Sequence, residues 1–200
     1  MTGTYQCDMG GRMLRCMLLN MALPSQLVIA SHLFHRKNAF ICDKLMSFDD
    51  VDDVKNGFLL IKPLHQAFNQ LQIGFIYDQS SNKYRLKVFD PSVRPQRLFG
   101  TLDRLQREVL LRGQPLPKHW RKRGRPTFAP GTDFNLQTTF GNIEGQKLCF
   151  MSVERPYKSC LNFQARVARK KAIEEKWIQP HEADFEEWSE GMLLAERMGF

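Results

Sequence analysis

The chain has 200 residues, 42% of them hydrophobic and 25% charged, with 15 phenylalanines, enough to bury a core in one domain with an extension or in two small domains. No apolar run approaches the ~18–20 residues that cross a bilayer, and the first thirty residues show neither a secretory signal nor a clear transit peptide. The net charge of +8 excludes an acidic, polyanion-avoiding chain and is unevenly spread: residues 1–90 carry 10 basic and 8 acidic side chains, residues 91–158 carry 13 and 5, and residues 159–200 carry 6 and 8.

The middle segment therefore supplies the whole surplus, the footprint expected of a nucleic-acid binder, and one that an anionic membrane would also satisfy. Five cysteines (Cys7, Cys16, Cys42, Cys149, Cys160) form an odd set with no C-x-x-C pair, which argues against a four-cysteine zinc site and for reduced, buried thiols.

In chain order, Gln26 to Ala30 reads as a short strand that delivers His32 at its end. Arg36 to Lys55 is polar and reads as a loop, with a turn of helix around Asp43 to Phe48 and a solvated acidic cluster at Asp49, Asp50, Asp52 and Asp53. His35 reads as a free surface side chain. Gly57 to Ile61 is short and apolar, and Pro63 then stands where a helix accepts proline, in the first turn. The spacing of Leu64, Phe68 and Leu71 predicts a helix over about 63–71 that buries one stripe and turns His65 to another side.

Gly74 to Tyr77 and Tyr84 to Phe89 are predicted as a hairpin around Gln79 to Asn82, and Phe99 to Arg112 as a helix. Residues 115–130 are rich in Pro, Gly and charge and read as an exposed loop. Phe140 to Phe150 suggests a small hairpin through Glu144-Gly145, Ser159 to Trp177 a helix, and Glu182 to Arg197 a second helix. Glu174 and Glu175 lie within reach of Arg169 to Lys171 and are expected to neutralise them. His119 and His181 have no evident partners.

Ala30-Ser31-His32-Leu33, Asn56-Gly57-Phe58-Leu59-Leu60 and His65-Gln66-Ala67-Phe68 follow one another over this stretch. Their order and spacing resemble the HNH endonucleases, in the variety that reads roughly AHI…NGLLL…H..F and occurs in fungi and oomycetes, including crinkler-type effector domains. The likeness covers about residues 10–90. It implies an α+β fold with a ββα-metal core, a hairpin and a helical C-terminal extension, divided as a nuclease core (1–90), a basic linker or extension (91–158) and a helical segment (159–200).

The resemblance further implies cleavage of DNA phosphodiesters with little sequence specificity, RNA remaining open. His32 would be the general base, a role suited to an imidazole whose ordinary pKa is near ~6.5. Asn56 would hold the ring or loop of that base, and His65 would be a ligand to one divalent ion, Mg2+ first, Mn2+ or Zn2+ as alternatives. Two positions where relatives place acids or histidine are neutral here, Ser31 and Asn69. That leaves Asn56, Asp43 or one of Asp49, Asp50, Asp52 and Asp53 to complete the ion's shell.

Lys118, Arg121, Lys122, Arg123 and Arg125 put five positive charges into nine residues around Trp120, a run suited to phosphate contacts and to nuclear import, in a host nucleus if the chain is an effector. Arg123-Gly124-Arg125-Pro126 also resembles the core of AT-hook peptides. The rival readings are a non-catalytic DNA-binding module on a degenerate HNH scaffold, and a membrane-surface or acidic-protein binder that uses residues 118–126 alone. No G-x-S-x-G elbow and no phosphate-binding P-loop is present.

Overall fold

Gly57-Phe58-Leu59-Leu60-Ile61 has no polar side chain to turn toward water, and in the computed structural model it forms a strand buried along its whole length. The structure describes residues 1–10, 12–41, 48, 50–106, 110, 134–135, 137–179 and 181. Their strands are β1 (Met13–Cys16), β2 (Met21–Pro24), β3 (Val28–His32), β4 (Gly57–Ile61), β5 (Ile73–Asp78) and β6 (Lys83–Val88), and their labelled helices are α1 (Lys62–Asn69) and α2 (Lys158–Glu174). The mixture is α+β, as expected. The strands pair antiparallel as β1–β2, β3–β4 and β5–β6.

β3 begins two residues later than Gln26, because Ser25–Leu27 form a 3-10 turn, and it runs to His32. Its register sets Val28 against Ile61, Ala30 against Leu59, Ser31 against Phe58 and His32 against Gly57. α1 follows β4 without a loop. Its first turn holds Pro63, and it buries Leu64, Ala67 and Phe68. The helix stops at Asn69, short of Leu71. Leu71 takes the left-handed conformation (φ 60°), its N–H donates to the Phe68 carbonyl at 3.0 Å, and its side chain packs instead with Phe89, Ala168 and Ala172.

The β5–β6 hairpin closes over Gln79–Asn82, with Asn82 at φ 51°. Asp78 accepts from the hydroxyls of Ser80 and Ser81 and from Arg85 Nε, each at 2.6 Å, which holds its carboxyl well below the usual range. α2 lies on β5. Its buried face is small (Ala165, Ala168, Ala172), and Gly74 meets Ala165 where a Cβ would come within 3.6 Å of the Ala165 backbone. Gln164 Nε2 reaches the carbonyls of Phe68 and Ile73, so α2 fastens the end of α1 to the start of β5. Phe58 meets Phe68 and Phe75 edge-on at centroid separations of 5.3 and 5.2 Å, joining β4, α1 and β5 in one core.

β1 and β2, four residues each, are strands that no expectation covered, and two expectations are corrected. Residues 140–150 do not fold back on themselves: Gly141–Ile143 form a 3-10 turn, after which Gly145 N–H donates to Leu86, Leu86 N–H to Gln146, and Leu148 N–H to Tyr84. The free edge of β6 thus takes the hydrogen bonds that a local hairpin would have made. Lys171 donates to the Gln70 carbonyl at 3.0 Å and lies 5.3 Å over the Trp177 ring, where a glutamate partner was expected.

The helix expected at Phe99 to Arg112 falls only partly within the described residues, of which 104–106 and 110 are helical. The turn near Asp43, the loop at 115–130 and the helix at Glu182 to Arg197 lie mostly or wholly outside them. Cys7, Cys16, Cys149 and Cys160 are free thiols, all but Cys149 buried. Among the described residues no helix is long and apolar enough to cross a membrane.

Candidate active site

Asn56 ends a 3-10 turn (Val54–Asn56) whose first N–H groups are capped by Asp53, which accepts from Lys55 N–H. The Asn56 side chain is wholly buried. Its Oδ1 accepts from Phe34 N–H at 2.8 Å, while Nδ2 donates to the carbonyls of Phe34 at 2.8 Å and Val51 at 2.7 Å. Leu33 N–H donates to the Asn56 carbonyl at 3.0 Å. The two residues that follow His32 are therefore tied to the residue that precedes β4, and the chain leaving β3 has one course.

His32 stands at the mouth of this pair, its side chain one-third exposed. Its Nε2 lies 3.6 Å from Asp52 Oδ1, within ion-pair reach though beyond a hydrogen bond. Arg36 Nε donates to the same carboxylate oxygen at 2.6 Å. Sequence named Asp52 only as one of several possible ion ligands, and Arg36 not at all. Asp52 reaches His32 from a loop and Arg36 reaches Asp52 from a 3-10 turn (Arg36–Ile41), a juxtaposition that no spacing rule announces.

His65, on the first turns of α1, is half-buried. Ser31 Oγ lies 2.8 Å from its Nδ1, and Asn69 Nδ2 lies 3.0 Å from its Nε2. With the Asn69 amide nitrogen turned to Nε2, the tautomer that suits both contacts carries its proton on Nδ1, where it donates to Ser31 Oγ, and accepts at Nε2. Partial burial, then the nearby His35 and His32, hold the His65 imidazole below its ordinary value. His35 meets solvent, yet partial desolvation, then Lys37 and His32, lower it as well. His65 and His35 are thus the two imidazoles here that burial and neighbouring positive charge make harder to protonate. Of these, His35 was read as an isolated surface residue, and the signal available was its position three residues after His32, on the turn that leaves β3.

The succession now matters: a strand ending in histidine, a buried asparagine, a strand, and a helix that returns a second histidine to the first. Residues 16–76 match the family model described as HNH endonuclease. Over this segment the chain is similar to the HNH endonucleases. The match runs from the last residue of β1 into β5 and contains β2, β3, β4 and α1. No curated protein and no solved structure matches the chain.

HNH endonucleases act on nucleic acids and generally use a divalent metal ion. The donor set around His65 fits a hard ion poorly. Mg2+ favours carboxylate and water oxygens in an octahedron, whereas His65 is flanked by a buried hydroxyl and an amide, both neutral and both already bonded to it. Among the described residues no three His, Cys, Asp or Glu side chains gather to hold a metal ion. Asp43 and Asp49, named as possible ligands, lie outside the described residues, as do Lys118, Arg121, Lys122, Arg123, Arg125 and His119. Asp50 accepts from Asp52 N–H, Asp52 from Arg36 Nε and Asp53 from the Tyr157 hydroxyl. His181 is exposed and far along the chain from these histidines.

Proposed function

We propose that this HNH segment is an endonuclease that hydrolyses phosphodiester bonds of nucleic acid, DNA foremost, with little base specificity. β3, β4 and α1 would be its ββα unit, within a nuclease core over residues 1–90. His32 is the base: it takes a proton from the attacking water, and the negative Asp52, 3.6 Å away, stabilises the imidazolium that results. Asn56 is a positioning residue, holding the loop behind His32 through Phe34 and Val51.

Arg36 and Lys37 lie beside the histidines and offer positive charge to the scissile phosphate. A divalent ion, Mg2+ by family habit, would supply Lewis-acid charge stabilisation, and His65 is the residue that the resemblance names to hold it. The poor fit of the surrounding donors means that no step is assigned to it. The basic run at 118–126, within the 91–158 extension, would add sequence-independent affinity for phosphates and a route to the nucleus. The segment at 159–200 would serve as the helical support. What supports the reading most is that the segment matching the HNH model sets His32 at the end of β3 beside Asp52, with the buried Asn56 holding the loop that leaves that strand.

A second reading, a DNA-binding module without catalysis, is favoured by one observation: both ring nitrogens of His65 are engaged by neutral side chains. Nicking of supercoiled plasmid decides between them, run with Mg2+ or Mn2+, with a chelator, and with His32→Ala. Nicking lost in His32→Ala supports the nuclease. Salt-sensitive binding with no nicking by wild type selects the module. Nicking that persists in His32→Ala removes the base from His32.

A further inference from the structure

We infer that Ser31, His65 and Asn69 form a closed, neutral hydrogen-bonded chain that stands in place of a hard-cation centre, so that His65 serves as a neutral hydrogen-bonding imidazole and not as a Mg2+ ligand. The inference rests on the reading of this site as the nucleolytic one, and it concerns what the site holds. Three observations carry it.

The first is geometric. Ser31 sits in β3 with no exposed surface and meets Nδ1 at 2.8 Å, and Asn69, one turn along α1 from His65, meets Nε2 at 3.0 Å. A ligand nitrogen needs a free lone pair. The only lone pair on this neutral ring points at the Asn69 amide, which is a donor. A cation entering there would have to displace that N–H and then face the positive end of the amide dipole.

The second is chemical. Beyond the imidazole, the chain offers a hydroxyl and an amide, with no negative charge to offset the dehydration of a small dication. The third is positional. Among the described residues, the carboxylate brought to these histidines is Asp52, which lies 3.6 Å from His32 Nε2 and accepts from Arg36 Nε at 2.6 Å, so it is already engaged there.

Mn2+ alone, followed by its electron-spin resonance signal, tests this with the full chain. Wild type leaves added Mn2+ free at submillimolar concentrations, whereas Asn69→Asp, a change at an exposed position, tightens binding by at least about tenfold, as one carboxylate beside the ion requires. Ser31→Asp should act in the same direction if it folds; Asn69→Asp stands without it. A second readout is the 15N spectrum of His65, which should report a protonated Nδ1 and a bare Nε2, both unmoved by Mg2+.

One Mn2+ per chain held by wild type and lost in His65→Ala or Asp43→Asn would overturn the inference. So would a proton on Nε2, or an Asn69→Asp variant that binds no better. Neither readout depends on cleavage, so an inactive wild type would sink the nuclease reading while leaving this one standing.

Discussion

Asn56 and the Phe34 peptide bond to each other in both directions, Oδ1 accepting from Phe34 N–H and Nδ2 donating to Phe34 O, each at 2.8 Å. The pair is buried and spans the gap between the strand that carries His32 and the strand that leads to His65. Asn56→Ala strands a buried N–H and two carbonyls, which costs roughly 1–3 kcal/mol for each group left without a partner. Asn56→Asp should be no remedy, because a carboxylate in that place faces the carbonyls of Phe34 and Val51 without a donor. Urea unfolding should show both variants losing midpoint concentration. An unchanged midpoint in Asn56→Ala would mean that the loop behind His32 is held by something else.

Gly57 is needed for closeness. Its backbone is extended (φ −168°), so any residue fits the dihedral, but a Cβ there would lie 2.9 Å from the Ser31 carbonyl oxygen across the strand pair. The other near atom, the tip of Met1 at 2.5 Å, belongs to a flexible side chain and can move away. Gly57→Ala should therefore push β3 from β4 at the residue beside His32, with a loss of about 1–3 kcal/mol. Gly3→Ala, where nothing lies within 4 Å, is the control and should stay within about 0.5 kcal/mol of wild type. Thermal melts of the two variants side by side measure the difference.

Legibility in the sequence followed locality. Five apolar residues followed by Lys-Pro announce a buried strand and the first turn of a helix, and β4 and α1 formed there. Alternation around Gln79–Asn82 announced the β5–β6 hairpin. β1 and β2 were silent, because Met13–Cys16 and Met21–Pro24 have no alternation of their own; they pair with each other, and Met17 just beyond β1 ties the pair to Leu59 and Cys149. The end of α1 was misplaced because Leu71 continues the apolar spacing but is taken by a different cluster under α2. At the site, the ordered motif told which histidines to watch. That Asp52 would reach His32, and that Ser31 and Asn69 would both bind His65, is a matter of how a loop and a helix turn relative to a strand. No spacing encodes that.

Acid should weaken the fold through His65. Unfolded, its ring titrates near 6.5; folded, burial and its histidine neighbours lower that value. Between the two, the unfolded chain binds more protons, so protonation favours unfolding. The stabilisation is complete above 6.5 and is lost as the pH falls through the folded value. His35 carries the same sign, with a lowering caused by partial desolvation, Lys37 and His32. Melting temperatures taken between about pH 7.5 and about pH 5 should fall less steeply for His65→Gln than for wild type. Equal slopes would show that His65 is not the residue that couples protons to folding.

The basic run calls for a salt experiment, since its contribution does not depend on which nucleic acid sequence is bound. Each phosphate contact made by a lysine or arginine steepens the fall of log affinity with log salt by about 0.9 on duplex DNA. Replacing Arg121, Lys122 and Arg123 with alanine should flatten that slope by up to roughly 2.7 and weaken unrelated duplexes equally. Fluorescence anisotropy across a salt series checks both statements. His32→Ala in the same assay should leave the slope alone, since a base acts on the bond and not on the approach. Anionic vesicles bound by wild type and released by the triple variant, with DNA affinity unmoved, would assign the run to a membrane surface.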